Sequence, residues 1–242
     1  MRRSTSSVSE RCLATLAILA GFAIVLGTAG CDLPRDSSGT LDRVRHGTMR
    51  VGVVANPPWV TDSAAPATGV EQQLVQELAA RVNARVEWVR RPEAELLLAL
   101  HKRELDLVIG GLTSSVPWQK QVAFTKPYYT DTIAVGAPAG TPPITDLKGK
   151  TVAVETGSAI AAELRSKDAT PLPMDDVTRS TGLVAAPTWR LASMGRSNTG
   201  IELQQEKHVL AAPQGENAWL VQVERLLHDR KPDIPKRLRA QR

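Results

Sequence analysis

The segment from Met49 to Ile109 alternates between two hydrophobic periods, and that alternation limits the chain to one class of architecture. Met49 to Ala55, reading MRVGVVA, is a β-branched apolar run terminated by Asn56-Pro57-Pro58, since proline has no amide hydrogen to give a sheet ladder. It predicts a buried strand. From Val70 to Val82 the apolar residues Val70, Leu74, Val75, Leu78, Ala79 and Val82 recur at three- and four-residue steps, which is one face of a helix. Arg85 to Val89 predicts a short strand, Ala94 to His101 an apolar-striped helix, and Leu105 to Ile109 a further buried strand ended by Gly110-Gly111. Strand, helix, strand, helix, strand at this spacing implies parallel pairing with right-handed crossovers, so the fold class is α/β. The same grammar restarts after the turn-rich stretch Pro138 to Pro143. Thr151 to Glu155 predicts a strand, Gly157-Ser158 a tight turn and Ala159 to Ser166 a helix, which points to a second lobe.

The N-terminus has a different character. Arg2, Arg3 and Arg11 stand against the single acid Glu10, and the uncharged run Cys12 to Leu26 follows. Its 15 residues fall short of the roughly 20 that a helix needs to cross the hydrocarbon core. The segment therefore reads as an export leader. The stretch Leu26-Gly27-Thr28-Ala29-Gly30-Cys31 resembles the lipobox of bacterial lipoproteins. That resemblance implies cleavage before Cys31 and a lipid on its thiol, with Asp32 favouring retention at the periplasmic face of the inner membrane. The alternative is an ordinary leader in which Cys31 is incidental. The chain has two cysteines; Cys12 would leave with the leader and Cys31 would be acylated, so the folded part has no pair to oxidise. Formal charge is +5, and removal of residues 1–30 takes away three arginines and one glutamate, leaving about +3. So mild a basic excess, much of it in Lys231 to Arg242, argues against a nucleic-acid partner.

From Gly47 to Tyr129 the runs GTMRVGVVANPPW, LLLALHKRELDLVIGGLT and VAFTKPYY resemble the first lobe of bacterial extracellular solute-binding proteins of family 3, the amino-acid receptors of ABC importers. DLKGKTVAVETGSAIAAEL (Asp146 to Leu164) continues the likeness, as does HVLAAPQGENAWLVQVERLL (His208 to Leu227) more weakly. The resemblance implies a two-lobed periplasmic-binding-protein-like (type II) fold with a hinge of two crossing segments, near Thr130 to Val135 and near Val209 to Pro213. Its expected organisation is a leader over 1–30, a lipid-anchored tether over 31–41, lobe 1 over 42–133 and a shortened lobe 2 over 134–208. Residues 209–230 return to lobe 1. The basic tail 231–242 shows no apolar stripe and is expected to be a solvated end.

Candidate ligand contacts follow from the same likeness. Trp59 ends the first strand, where parallel sheets place ligands, and would stack on a solute; the alternative is a core tryptophan. Gly111, Thr113 and Ser115, after the strand ending at Ile109, would offer backbone groups and hydroxyls, or form a plain polar loop. Gly157 and Ser158 precede a helix whose free amides could hold an anion, although Ser158 is equally explicable as an N-cap. Two departures from the pattern bear on the ligand. Trp118 stands where amino-acid receptors carry the arginine that clamps the α-carboxylate, and Ala186-Pro187-Thr188 stand where an aspartate would meet the α-ammonium. An ordinary amino acid is therefore not the expected ligand. Trp59, Trp118 and Trp189 would suit an aromatic, apolar or cationic solute, or two of them would be core.

The expected protein is a monomeric binding module for a small-molecule solute, with an ABC permease as possible partner and the membrane reached through its lipid. No metal spacing, cofactor motif or nucleophile–base set is found. His46, His101, His208 and His228 read as surface or capping residues, and Glu155 is the one carboxylate worth testing as an acid or base. A sensor or adaptor lipoprotein, and a dehydratase-like enzyme on the same fold, are the rival classes.

Overall fold

Two apolar strand runs buried on both faces require two layers of cover, and the computed structural model supplies them twice. It describes residues 36–61, 69–115, 117–118 and 120–241; the leader, Cys31 and the start of the tether lie outside the described residues. The first sheet has the order β2-β1-β3-β10-β4. Its strands are β1 (Thr48–Val53), β2 (Arg85–Arg90), β3 (Leu107–Ile109), β4 (Val122–Phe124) and β10 (Ala211–Pro213). β1 runs parallel to β2 and β3, as the crossover argument requires, while β10 is antiparallel to β3 and β4.

Three helices cover this sheet early in the chain: α1 (Thr40–Val44), α2 (Val70–Val82) and α3 (Glu93–His101). α2 lays Val70, Leu74, Val75, Leu78, Ala79 and Val82 into one core with Met49, Val51 and Leu107, all buried. α3 packs Leu96, Leu97 and Leu100 on the opposite face against Val108 and Ala211. Asp106 ties α1 to the sheet: its buried carboxylate accepts from the guanidinium groups of Arg43 and Arg50, the latter at 2.9 Å, and from the Arg50 backbone amide. Burial opposes ionisation of Asp106, but the two arginines win and hold it below the usual carboxylate range.

The second sheet has the order β7-β6-β8-β5-β9. It comprises β5 (Tyr129–Pro138), β6 (Thr151–Glu155), β7 (Thr170–Met174), β8 (Leu183–Pro187) and β9 (Arg196–His208), with α4 (Ile160–Ser166) and the short α5 (Thr188–Leu191) against it. β7 contains Pro171 and Pro173, and it sits at the sheet edge where a missing donor costs nothing. Between Asp176 and Gly182 the chain makes a single 3-10 turn, Val177–Arg179. β5 and β9 form a long antiparallel ribbon, from Tyr129 opposite His208 to Pro138 opposite Arg196, whose ends at Tyr129 and His208 lead back into the first sheet. The architecture is the two-lobed α/β fold.

After β10 the chain returns as α6 (Asn217–Arg230), which buries Trp219, Val223, Leu226 and Leu227 in the first core. The segment that follows corrects the sequence expectation of a solvated end. Lys231–Asp233 forms a 3-10 turn and α7 (Ile234–Ala240) a helix, in which Ile234 and Leu238, four residues apart, are 1% and 0% exposed. Two apolar residues at one helical step are too few to show as a stripe, yet they complete the core beside α2. Glu77 of α2 receives Arg237 at 2.6 Å and Arg230, fixing α7 in place. Leu238→Ala is expected to destabilise the chain by about 2–4 kcal/mol in urea unfolding. An unchanged midpoint would mean that α7 is the frayed tail after all.

Candidate functional site

The strand end at Val53 leads into a turn that is pinned from three sides, and this turn fixes Trp59. Asn56 and Val60 exchange two backbone hydrogen bonds of 3.0 Å. The Asn56 side-chain amide donates to the Gly110 carbonyl at 2.9 Å. The carbonyls of Pro58 and Trp59 accept from the first amides of α2, Val70 and Glu71, at 3.0 and 2.9 Å, so the turn doubles as the helix cap. Trp59 emerges 5% exposed, its ring 4.0 Å from His208 between centroids and 5.8 Å from Tyr129, with Tyr128 edge-on at 6.2 Å. It is at once a core residue and part of the cleft wall, so the two readings of Trp59 are not exclusive.

Glu71 was not singled out from the sequence, because a carboxylate in a helix's first turn reads as ordinary dipole compensation. It is fully buried. Its Oε2 accepts from the amides of Gly110 and Gly111 at 2.7 and 3.0 Å, and its Oε1 from the Tyr128 hydroxyl at 2.5 Å. Burial raises its pKa, partly offset by those donors, and the same burial beside Glu71 carries the Tyr128 phenol well above its usual value. Gly111 has φ +66°, and a Cβ there would lie 2.4 Å from Trp59 Cδ1, so no side chain fits between the loop and the indole.

Between the two sheets lies a cleft of about 960 Å³. Asn56, Pro58 and Trp59 line it from the first lobe, Val154, Glu155, Ser158, Trp189 and Arg190 from the second, Asp131, Glu206 and His208 from the ribbon, and Leu238 and Arg239 from α7. The structure thus brings Trp59, Ser158 and Trp189 to one cavity. Ser158 Oγ also accepts from the Ile160 amide at 3.2 Å, while the N-cap position itself is held by Ala159. Gly157, with φ +79°, makes the preceding turn and does not line the cleft. Gly111 reaches the site through its carbonyl, which accepts from His208. Thr113 pairs with His208 as an isolated bridge and shares a 2.8 Å hydrogen bond with Ser115; neither lines the cavity. Trp118 is turned away: it packs, partly buried, on the α3 side against the cluster of Leu96, Leu97 and Leu100, because its turn feeds directly into β4 through the amides of Gln121 and Val122. Glu155 is paired with Arg190 at 3.1 Å.

His208 departs from the surface or capping role expected of it. It is 2% exposed, with Nδ1 3.2 Å from the Gly111 carbonyl. Burial lowers its pKa to about 4, so the ring is neutral at physiological pH. Asp131, also missed, is 4% exposed; Trp189 Nε1 donates to its Oδ2 at 3.1 Å. Burial, opposed by the Trp189 donor and reinforced by the Glu206 charge, pushes Asp131 up to about 6 from 3.8. Among the described residues no group of three histidine, cysteine or acidic side chains could hold a metal ion, and no helix is long and apolar enough to cross a membrane.

A model of the bacterial extracellular solute-binding proteins, family 3, matches residues 49–234. The arginine-binding extracellular protein ArtP of Bacillus subtilis is 33% identical over 105 residues, 43% of this chain and 40% of that protein. The probable amino-acid-binding protein YxeM of the same organism is 28% identical over 158 residues, 64% of this chain and 58% of that one. The matched segments thus span less than two thirds of these relatives. Among solved structures, an ancestral cationic amino acid solute binding protein superposes with TM-score 0.68 at 20% identity, covering 84% of this chain and 98% of that one. The L-cystine solute receptor of Neisseria gonorrhoeae, unliganded and open, gives 0.64 at 16% identity, covering 80% and 92%. At these identities the superpositions show the fold.

A carboxylate whose pKa is raised on folding weakens the fold only where it must ionise. For Asp131 that cost is absent below about pH 4, grows toward pH 6 and is complete above it. Asp131→Asn should therefore raise the melting temperature of the unliganded chain at pH 8, by roughly 5 °C, and leave it unchanged at pH 4. Equal effects at both pH values would show that the pKa of Asp131 is not raised on folding.

Proposed function

The chain belongs to the bacterial extracellular solute-binding proteins, family 3, and from that premise we propose that it captures a small solute between its two lobes and delivers it to an ABC importer at the cell envelope. The observation that carries the reading is the cleft itself: a cavity of about 960 Å³ to which both sheets, the connecting ribbon and α7 contribute side chains. Cavities of this size that converge a few polar groups on an apolar wall are the ordinary form of a small-molecule site. Hinge closure about β5 and β9 would bring Trp59 of one lobe and Ser158 and Trp189 of the other onto the same solute. Trp59 is the proposed stacking surface, with Gly111, Thr113 and Ser115 setting the loop behind it. Gly157 and Ser158 open α4 opposite. Trp118, on the α3 side, is withdrawn from the proposed contacts, and the carboxylate clamp that it displaces is absent from that loop.

The family is one of receptors, and the arrangement of groups here favours binding over catalysis: His208 is held neutral by burial and Glu155 is engaged by Arg190. The names of the relatives make amino acids, arginine among them, the first compounds to try. We further propose that the chain matures to a monomer anchored at the periplasmic face of the inner membrane through a lipid on Cys31, after removal of residues 1–30.

Two measurements check these statements on the full chain, expressed with its own leader and extracted in detergent. A thermal-shift screen over amino acids, polyamines, aromatic acids and small peptides should yield at least one compound that raises the melting temperature, as binding to the native state requires. Trp59→Phe, which keeps a ring against His208, should reduce that shift. No shift from any compound in a folded chain would move the assignment to a sensor or adaptor that holds a membrane partner. Labelled palmitate should be incorporated by the native chain and not by Cys31→Ser; equal labelling, or none, would remove the lipid anchor.

A further inference from the structure

The ribbon of β5 and β9 turns one face to the cleft, and the register says which residues it carries. Asp131 lies directly opposite Glu206 and Tyr129 opposite His208, and residues two apart on a strand share a face. Asp131, Glu206 and His208 accordingly all line the cleft. Two carboxylates placed opposite each other across a ladder repel, which is destabilising unless something positive lies between them.

The hydrogen-bond inventory of this face is one-sided. Asp131 is 4% exposed, and its Oδ1 has no partner although Oδ2 is engaged by Trp189. His208 is 2% exposed; the Gly111 carbonyl beside Nδ1 can only accept, which places the ring proton on Nδ1 and leaves Nε2 as a bare lone pair, also without a partner. Glu206 Oε1 accepts from the Gln204 amide at 2.8 Å. Both unpartnered buried atoms are therefore acceptors, beside a second carboxylate. Leaving buried acceptors unpaired costs free energy that a donor-rich ligand recovers and an acceptor-rich ligand increases. The cations nearby do not meet this need: Arg190 is held by Glu155 at 3.1 Å on the second lobe, and Arg239 is exposed on α7.

We propose that the hinge end of the cleft is a cation subsite, in which Asp131 and Glu206 share the ammonium or guanidinium group of an organic amine and His208 Nε2 accepts a further N–H from it. The proposal rests on the reading of the cleft as a solute site and specifies the class of solute that it takes. The positive charge is the recognised feature, supplied by hinge strands and independent of any clamp on a ligand carboxylate. Trp59 and Trp189 flank the subsite and cover the carbon chain.

The test is titration calorimetry on the full chain at pH 7.5 with agmatine, putrescine and L-arginine as cations, and butylurea, 1,4-butanediol and glutarate as uncharged and anionic counterparts. At least one of the cations should bind and none of the counterparts. Asp131→Asn should weaken that binding at least about tenfold, ~1.4 kcal/mol, and Glu206→Gln by a smaller factor. Asp131→Asn is expected to melt no lower than the native chain at this pH, so loss of binding would not be loss of fold. The cation subsite falls if a counterpart binds as well as the cations, if Asp131→Asn leaves the affinity unchanged, or if no cation binds. In the first two cases the solute-binding reading stands. In the last, a shift from an acid or peptide in the broader screen retains it, and silence across that screen removes both.

Discussion

Asp131 faces Glu206, and Tyr129 faces His208, across the antiparallel pairing of β5 with β9. The rest of the molecule takes its arrangement from this ribbon. Its ends at Tyr129 and His208 continue into the first sheet through β4 and β10, and its length forms one side of the second sheet. Two strands joined by backbone hydrogen bonds resist shear along their length but bend and twist at modest cost, which suits the hinge proposed between the lobes. The same pairing sets the chemistry of the cleft floor. Because side chains alternate at period two, a register that puts His208 against Trp59 necessarily also turns Asp131 and Glu206 into the cavity.

The first lobe answers with a rim built around Glu71. A fully buried carboxylate is costly unless it is saturated with donors, and here two backbone amides and a phenol saturate it. In exchange the Gly110-Gly111 turn is held in one position, close enough to Trp59 that only glycine fits at 111. Trp59 is in turn locked by the cap of α2 and by the rings of Tyr128, Tyr129 and His208. The rim is thus preorganised by contacts that belong to the core, so a ligand meeting Trp59 would find the ring already ordered and lose little entropy in fixing it.

The elements legible in the sequence are those that satisfy their own periodicity. β1, α2, α3, β3 and β6 bury a continuous run or a repeated stripe, and each was placed to within two residues. The structure ends β8 at Pro187 and gives Trp189 to the short α5, where its indole reaches Asp131. β9 gives no comparable signal, because RSNTGIELQQEKH is mostly polar and only two of its 13 residues are buried. α7 was hidden for the related reason that Ile234 and Leu238 make a single helical step, and the arginines around them read as solvent-facing until Glu77 is seen beneath two of them. The family resemblance puts Trp118 in the cleft, but a loop's direction is set by what its flanks pack on, and β4 draws this one to the α3 side.

Period and composition by themselves determined the class of the fold and its division into two βα units, because hydrophobic period is a property of each segment alone. The tertiary structure alone decided which polar groups share a cavity. Asp131 and Glu206 are 75 positions apart in the chain, and nothing local marks either as buried, opposed or short of a partner. The burial of Asp131 and its pairing with Glu206 come from a register between distant strands, and with them come the raised pKa of Asp131 and the bare nitrogen of His208. A charge's surroundings are a property of the packed whole: the chain encodes the groups, and the fold sets the dielectric and the partners that give them a function.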